Sequence, residues 1–106
     1  MAQEYPNVTA VVPANIYFDG KVTSRTLKFA DGTTKTLGLM QPGEYEFGTE
    51  KPELMEITAG RVKVRLAGET DWTEYAGGAA FNVPGDSKFE ITAVELTDYV
   101  CSFLEE

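Results

Sequence analysis

The chain has 106 residues, 42% of them hydrophobic and 25% charged, and this size and composition predict one folded domain. Seventeen acidic against nine basic residues give a formal net charge of −8, which argues against nucleic-acid binding through a broad basic surface. Histidine is absent, which excludes the Ser-His-Asp triad, histidine proton shuttles and every histidine-containing metal site.

The chain is divided into short segments by turn residues. Residues 1–14 contain two prolines and no sustained period, and we interpret them as an N-terminal arm with a short edge strand at 8–12. In the remaining domain, residues 15–106, the dipeptides Asp19-Gly20 and Asp31-Gly32 favour tight turns between apolar or β-branched segments. This pattern predicts an all-β sandwich or barrel of about eight to ten strands.

Segment 61–66 carries the clearest strand pattern, because basic and apolar residues alternate over six positions. The apolar side chains are expected inside and the basic ones outside. The two sets are Val62, Val64 and Leu66, and Arg61, Lys63 and Arg65. Evidence for helix is thin: residues 51–57 are compatible with one turn, because Pro52 suits a first helical position, but the segment is too short to predict a helix.

Two spacings resemble the motifs of the cupin family. Glu53 with Gly60 is similar to the end of the first motif, and Gly78 with Pro84-Gly85 is similar to the start of the second. The resemblance implies a single-domain, cupin-type antiparallel β-barrel, a double-sheet jelly roll. At the positions of the family's metal-binding histidines this chain has Phe47, Thr49 and Lys88. We therefore expect no transition metal and no organic cofactor.

A longer series of motifs is similar to the pyrimidine/purine nucleoside phosphorylase family of small bacterial cupins, over residues 15–104. The motifs are Asn15-x-Tyr17-Phe18-Asp19-Gly20-Lys21-Val22, Gly38-Leu39-Met40-x-x-Gly43-Glu44-Tyr45-x-Phe47-x-Thr49, Asp71-Trp72 and Phe81-Asn82-Val83-Pro84-Gly85. The resemblance implies a pentosyltransferase that cleaves purine and pyrimidine nucleosides with inorganic phosphate, yielding free base and ribose 1-phosphate. One departure is Asp86, where family members carry His or Asn.

Phosphorolysis passes through an oxocarbenium-like transition state, so it needs an anion site and a carboxylate near the developing positive charge. The cupin alignment makes Glu53 the inward carboxylate and Lys88 the cation for phosphate. Residues at the barrel mouth are expected to bind the nucleoside: Tyr45, Phe47, Thr49, Phe81 and Tyr99. The aromatic residues also suit a plain core, Lys88 also suits a solvated loop, and Cys101 is expected to be a small core residue.

Two other functions remain open at this point: a non-catalytic cupin that binds a small metabolite, and a metal-free sugar isomerase or epimerase. No apolar segment approaches the ~20 residues of a membrane span, so no membrane partner is expected. The single cysteine cannot form an intramolecular disulfide, which fits a cytoplasmic protein. Because a small barrel leaves open edges, we expect a homodimer, with the N-terminal arm as the crossing segment.

Overall fold

The computed structural model describes residues 3–105. Met1, Ala2 and Glu106, the outermost residues of the predicted arm and domain, lie outside the described residues. The strands are β1 (Thr9–Ala10), β2 (Asn15–Tyr17), β3 (Val22–Lys28), β4 (Thr34–Met40), β5 (Gly43–Thr49), β6 (Glu53–Ala59), β7 (Arg61–Leu66), β8 (Thr73–Ala76), β9 (Ala79–Val83), β10 (Ser87–Ala93) and β11 (Thr97–Phe103). A 3-10 turn, Phe18–Gly20, follows β2. Between residues 3 and 105, no helix is long and apolar enough to cross a membrane.

The strands form two antiparallel sheets that pack face to face. The large sheet has the order β1-β3-β4-β11-β6-β9, with β2 also paired to β3, and the small sheet has the order β5-β10-β7-β8. The predicted all-β, double-sheet fold of the cupin type is confirmed. Over the described part of the chain the two sheets are hydrogen-bonded separately, so they form a sandwich rather than one closed barrel.

Strand β7 shows the predicted alternation of buried and exposed side chains. Val62 and Val64 are buried, and Leu66 packs partly buried against the core, whereas Arg61 and Lys63 are exposed. The backbone of β7 is paired with β10 on one side and β8 on the other. This register fixes which face of the strand meets the large sheet, since a shift by one residue would reverse every side chain.

Residues 51–57, the segment with a weak helical signal, do not form a helical turn. Glu53–Ala59 form strand β6, which is paired with β11 on one side and with β9 on the other. Met55 and Ile57 alternate into the core from this strand. The backbone hydrogen bonds that β6 makes to both neighbours outweigh the weak helical preference of a segment too short to be a stable helix alone.

Residues 9–17 run along one edge of the large sheet. Strand β1, within the predicted segment 8–12, pairs with the second half of β3, and β2 pairs with its first half. Phe18 and Asp19 then adopt left-handed backbone angles, with φ of 52° and 57°. These angles are unusual for residues other than glycine, and they turn the chain sharply at the end of the two sheets.

Candidate functional site

A cavity of about 200 Å³ lies between the two sheets. Its two walls differ in chemistry. The small sheet contributes the aromatic side chains of Phe47 and Phe89, which are stacked with a centroid distance of 5.8 Å. All polar side chains at the cavity come from strands of the large sheet: Tyr17, Ser24, Thr36, Glu53, Tyr99 and Cys101.

Glu53 supplies the carboxyl group of this polar wall. It lies at the start of β6, opposite Phe103 of β11 and Val83 of β9. Partial burial raises the pKa of the carboxyl above its ordinary value, because the charged form loses hydration. A hydrogen bond from the Cys101 thiol acts in the opposite direction and lowers this pKa.

The thiol of Cys101 links two other polar groups at the cavity floor. It lies opposite Thr36 of β4 in the register, and Glu53 of β6, the strand on the other side of β11, lines the same cavity. Burial raises the pKa of this thiol, and the nearby Glu53 charge raises it further. The thiol is therefore neutral at physiological pH and acts as a donor to the carboxylate.

Tyr99 is the more deeply buried of the two tyrosines at the cavity, and it is 7% exposed. Burial raises the pKa of its hydroxyl, with additional contributions from Cys101, Tyr17 and Glu53. The hydroxyl is therefore protonated over the physiological range and can donate as well as accept a hydrogen bond. Its ring lies over Gly38 of β4, the residue opposite it in the register.

Three of the predicted site residues meet at this cavity: Phe47, Glu53 and Tyr99. Tyr45 lies on the same inner face but is part of the core beside the cavity, and its hydroxyl donates a hydrogen bond to the Gln41 carbonyl at 2.6 Å. This hydroxyl has a backbone partner, so its contact is structural.

Thr49 and Phe81 are also buried but do not line the cavity. The Thr49 hydroxyl donates to the Pro84 carbonyl at 2.7 Å and accepts from the Ser87 backbone N–H at 3.0 Å. It thereby joins the end of β5 to the turn before β10. Phe81 is stacked on Tyr75 with a centroid distance of 4.7 Å and fills the interior near β8.

Lys88 lies on the outer face of the small sheet. The next residue of β10, Phe89, points inward, so Lys88 points outward and is exposed. It borders an open groove with Arg65 and Glu90, which are ion-paired at 2.8 Å. The structure thus does not bring Lys88 to Glu53. Among the described residues that line the cavity, none is a lysine or an arginine.

Four polar residues of the cavity are not among the predicted site residues: Tyr17, Ser24, Thr36 and Cys101. Side-chain alternation could have identified two of them, because residues two positions apart on a strand point to the same face. Ser24 shares its buried face with Val22, and Thr36 shares its buried face with Gly38 and Met40. Among residues 3–105, no three Cys, Asp or Glu side chains are grouped so as to hold a metal ion.

Comparisons with known proteins agree on one family. Residues 12–103 match the sequence model of the pyrimidine/purine nucleoside phosphorylase family. Proteins of that name from Hydrogenovibrio crunogenus and a Sulfurovum species are 56% and 54% identical to this chain over 102 residues. These alignments cover 96% of this chain and 98% and 99% of the relatives.

A crystal structure of an Acinetobacter protein of unknown function superposes on this chain with a TM-score of 0.92 at 40% identity. The match covers 95% of this chain and 98% of the other. A second protein of unknown function, from Acidithiobacillus ferrooxidans, superposes with a TM-score of 0.81 at 27% identity, over 96% and 98% of the two chains. On the match to the family model and to the sequence relatives, the chain belongs to the pyrimidine/purine nucleoside phosphorylase family.

Proposed function

We propose that this protein is a nucleoside phosphorylase, a pentosyltransferase that acts on both purine and pyrimidine nucleosides. Inorganic phosphate is the co-substrate, and no other cofactor takes part. A phosphate oxygen forms a bond to the anomeric carbon while the bond from that carbon to the base nitrogen breaks. The electron pair of the broken bond goes to the base, which takes up a proton. The products are free base and ribose 1-phosphate.

The observation that carries this proposal, beside family membership, is the half-buried Glu53 carboxyl in a cavity with an aromatic opposite wall. Positive charge develops on the sugar ring in the transition state. A carboxylate beside the ring stabilises that charge strongly, since little water competes for it. The Cys101 thiol, donating to the same carboxylate, helps to orient it.

The size of the cavity determines which part of a nucleoside it encloses. Pockets that enclose a whole drug-sized molecule typically have volumes of roughly 300–1,000 Å³, whereas this one has about 200 Å³. We therefore place the pentose in the cavity, where the hydroxyl groups of Ser24 and Tyr99 are available to it. The base then extends toward the opening. A base held at an opening is recognised by few hydrogen bonds, which accounts for activity on purines and pyrimidines alike.

Phosphate needs donors on the other side of the anomeric carbon. Because no lysine or arginine lines the described cavity, we propose that hydroxyl and backbone N–H groups hold the anion. Thr36 is the best candidate among the hydroxyl groups, since it lies at the floor beside Cys101 and Glu53. Hydrogen bonds to an anion are stronger than those between neutral groups, so uncharged donors suffice for a site of moderate affinity.

Incubation with adenosine and with uridine, with and without phosphate, tests the activity. We expect free base only when phosphate is present. Glu53→Gln should lower turnover on the order of 10²–10³-fold, as is typical when one charge-stabilising contact is lost from a desolvated site. Glu56→Gln is the matched control, because it makes the same change on the outer face of the same strand. Base release without phosphate, or no release at all, would contradict the proposal.

We also propose that the protein is a cytoplasmic homodimer. Leu37 and Leu39 are 41% and 40% exposed on the outer face of the large sheet, where adjacent apolar side chains suit contact with a second copy. Light scattering that gave a mass near 11.6 kDa, that of one chain, at micromolar concentration would contradict the dimer.

A further inference from the structure

Strand β2 places an aromatic side chain at the opening of the cavity. Tyr17 lines the cavity but is 43% exposed, so it is not a core residue. Its ring centroid is 5.9 Å from that of Phe47, and the two rings are nearly perpendicular at 81°. Since Tyr17 belongs to the large sheet and Phe47 to the small one, this pair bridges the two sheets beside the cavity.

The backbone after Tyr17 brings a second ring to the same place. Neighbouring side chains of an extended strand point to opposite faces, yet both Tyr17 and Phe18 contact Phe47. The left-handed backbone of Phe18 explains this, because it turns that ring to within 5.4 Å of Phe47 and 5.0 Å of Tyr45. A left-handed conformation of a bulky residue is strained by about 1–3 kcal/mol, and such strain clusters at ligand sites.

The other end of β2 is held by side-chain hydrogen bonds. The Asn15 amide donates to the hydroxyl groups of Ser24 at 3.1 Å and Thr26 at 3.2 Å, both on β3. Ser24 itself lines the cavity. Tyr17 therefore lies between the hydrogen-bonded start of β2 and a turn whose Phe18 ring packs on Phe47 and Tyr45. These contacts fix the position of the Tyr17 ring although the side chain is 43% exposed.

We infer that Tyr17 is a substrate-contacting residue whose ring stacks on the base of the bound nucleoside, an assignment that rests on the proposed function. With the pentose in the cavity, the base reaches the opening, where Tyr17 has free ring surface. The Phe47 ring meets the Tyr17 ring nearly at a right angle, and Tyr17 keeps exposed ring surface at the opening. Stacking tolerates any base because every base has a π-face, so one residue serves purine and pyrimidine substrates.

The test compares Tyr17→Leu and Tyr17→Phe in the full chain, with kcat and KM measured separately for adenosine, uridine and phosphate. Loss of one base–aromatic stack weakens binding by about 1–3 kcal/mol, equivalent to about 5- to 150-fold. We expect Tyr17→Leu to raise KM for both nucleosides by such a factor and to leave KM for phosphate unchanged. Tyr17→Phe should regain most of the nucleoside affinity that Tyr17→Leu loses, because the ring remains.

Trp72→Leu is the matched control. Its ring lies 4.8 Å from the Arg65 guanidinium and does not line the cavity, so nucleoside KM should not change. Wild-type nucleoside KM in Tyr17→Leu would overturn the assignment. An equal increase in the KM for phosphate would also overturn it, because a general disturbance of the fold would have that effect.

Calorimetric titration with adenosine in the absence of phosphate separates this inference from the proposed function. If the wild-type protein binds adenosine and Tyr17→Leu binds it more weakly, Tyr17 contacts the ligand even if no base is ever released. If the wild-type protein releases base but the two proteins bind adenosine equally, the activity stands and the assignment of Tyr17 fails. If wild type neither binds nor cleaves adenosine, both fail.

Discussion

The ring of Tyr99 occupies the space that a side chain at position 38 would take. A β-carbon on Gly38 would lie 2.1 Å from Cζ of Tyr99 and 2.5 Å from its hydroxyl oxygen. The two residues are directly opposite each other on β11 and β4. The absence of a side chain on Gly38 therefore allows the Tyr99 ring to lie against the sheet, with the cavity beside it.

Gly38→Ala should destabilise the protein and distort the cavity together. The added methyl group must displace the Tyr99 ring, and overpacking of this kind costs about 1–3 kcal/mol of unfolding free energy. Chemical denaturation measures the loss. Gly48→Ala is the stability control, since a β-carbon there would meet its nearest atom at 3.9 Å, an ordinary contact. Equal stability of the two variants would show that the ring moves without strain.

Glu53 should make the wild-type protein less stable as the pH rises. Its pKa is raised in the folded state, so the folded protein binds the Glu53 proton more tightly than the unfolded chain does. The corresponding contribution to stability is complete below the ordinary glutamate pKa and is lost as the pH rises through the folded value. The Glu53→Gln variant has no such loss. Its free energy of unfolding should therefore exceed that of the wild type by an amount that grows with pH.

Urea denaturation of both proteins between about pH 4 and pH 8 measures this difference, since the range extends from near the ordinary glutamate pKa upward. At the acidic end the two stabilities should be close, because Glu53 is then largely protonated in both the folded and the unfolded state. Parallel profiles over the whole range would mean that the carboxyl is as well solvated in the folded protein as in the unfolded chain. Combined with lower turnover, higher stability of Glu53→Gln at neutral pH would mark a group retained for activity at the expense of stability.

The fold could be predicted from the sequence wherever polar and apolar residues alternate, as in β7. Strand β6 could not, because Pro52 and Glu53 have the pattern of a helix start, and only the pairing with β9 and β11 decides the outcome. That pairing joins residues 22 to 50 positions apart, and a local pattern carries no information about it.

The candidate site could be predicted only in part, because side-chain alternation shows which residues point inward but not which of them line a cavity. Parity indicates that Phe47 and Tyr99 point inward, and they do. Whether an inward residue lines a cavity or fills the core depends on packing across the sheets. Phe81, for example, is stacked on Tyr75. Small polar residues such as Ser24 attract little notice in a sequence, although here they form part of the polar wall.

Cys101 should resist alkylation in the folded protein. It is 5% exposed, and burial raises the pKa of its thiol, so both access and the reactive thiolate form are suppressed. Iodoacetamide at pH 8 should therefore label it slowly, because little of the thiol is in the reactive thiolate form. Labelling should become fast and complete in concentrated urea. Rapid labelling without denaturant would show that the thiol ionises in the folded protein as readily as a solvated one.

The location of the phosphate site can be tested by removing either the Thr36 hydroxyl, which lies in the cavity, or the Lys88 ammonium group, which lies on the outer face of the small sheet. Thr36→Val keeps the shape of the side chain and removes its hydroxyl. Hydrogen bonds to charged groups contribute about 1.5–3 kcal/mol, so KM for phosphate should rise about tenfold or more. Lys88→Ala should change it by less than about twofold, as is usual for surface substitutions, because Lys88 is exposed on the opposite side of the small sheet.

Lys63→Ala serves as the second comparison, since Lys63 is exposed on the outer face of β7 in the same sheet. Lys63→Ala and Lys88→Ala should have the same KM for phosphate if both ammonium groups are surrounded mainly by bulk solvent. A larger rise in phosphate KM for Lys88→Ala than for Thr36→Val would instead place the anion on the outer face of the small sheet. In that case Glu53 and phosphate would lie on opposite sides of β10, and Glu53 could not act in phosphorolysis at the cavity.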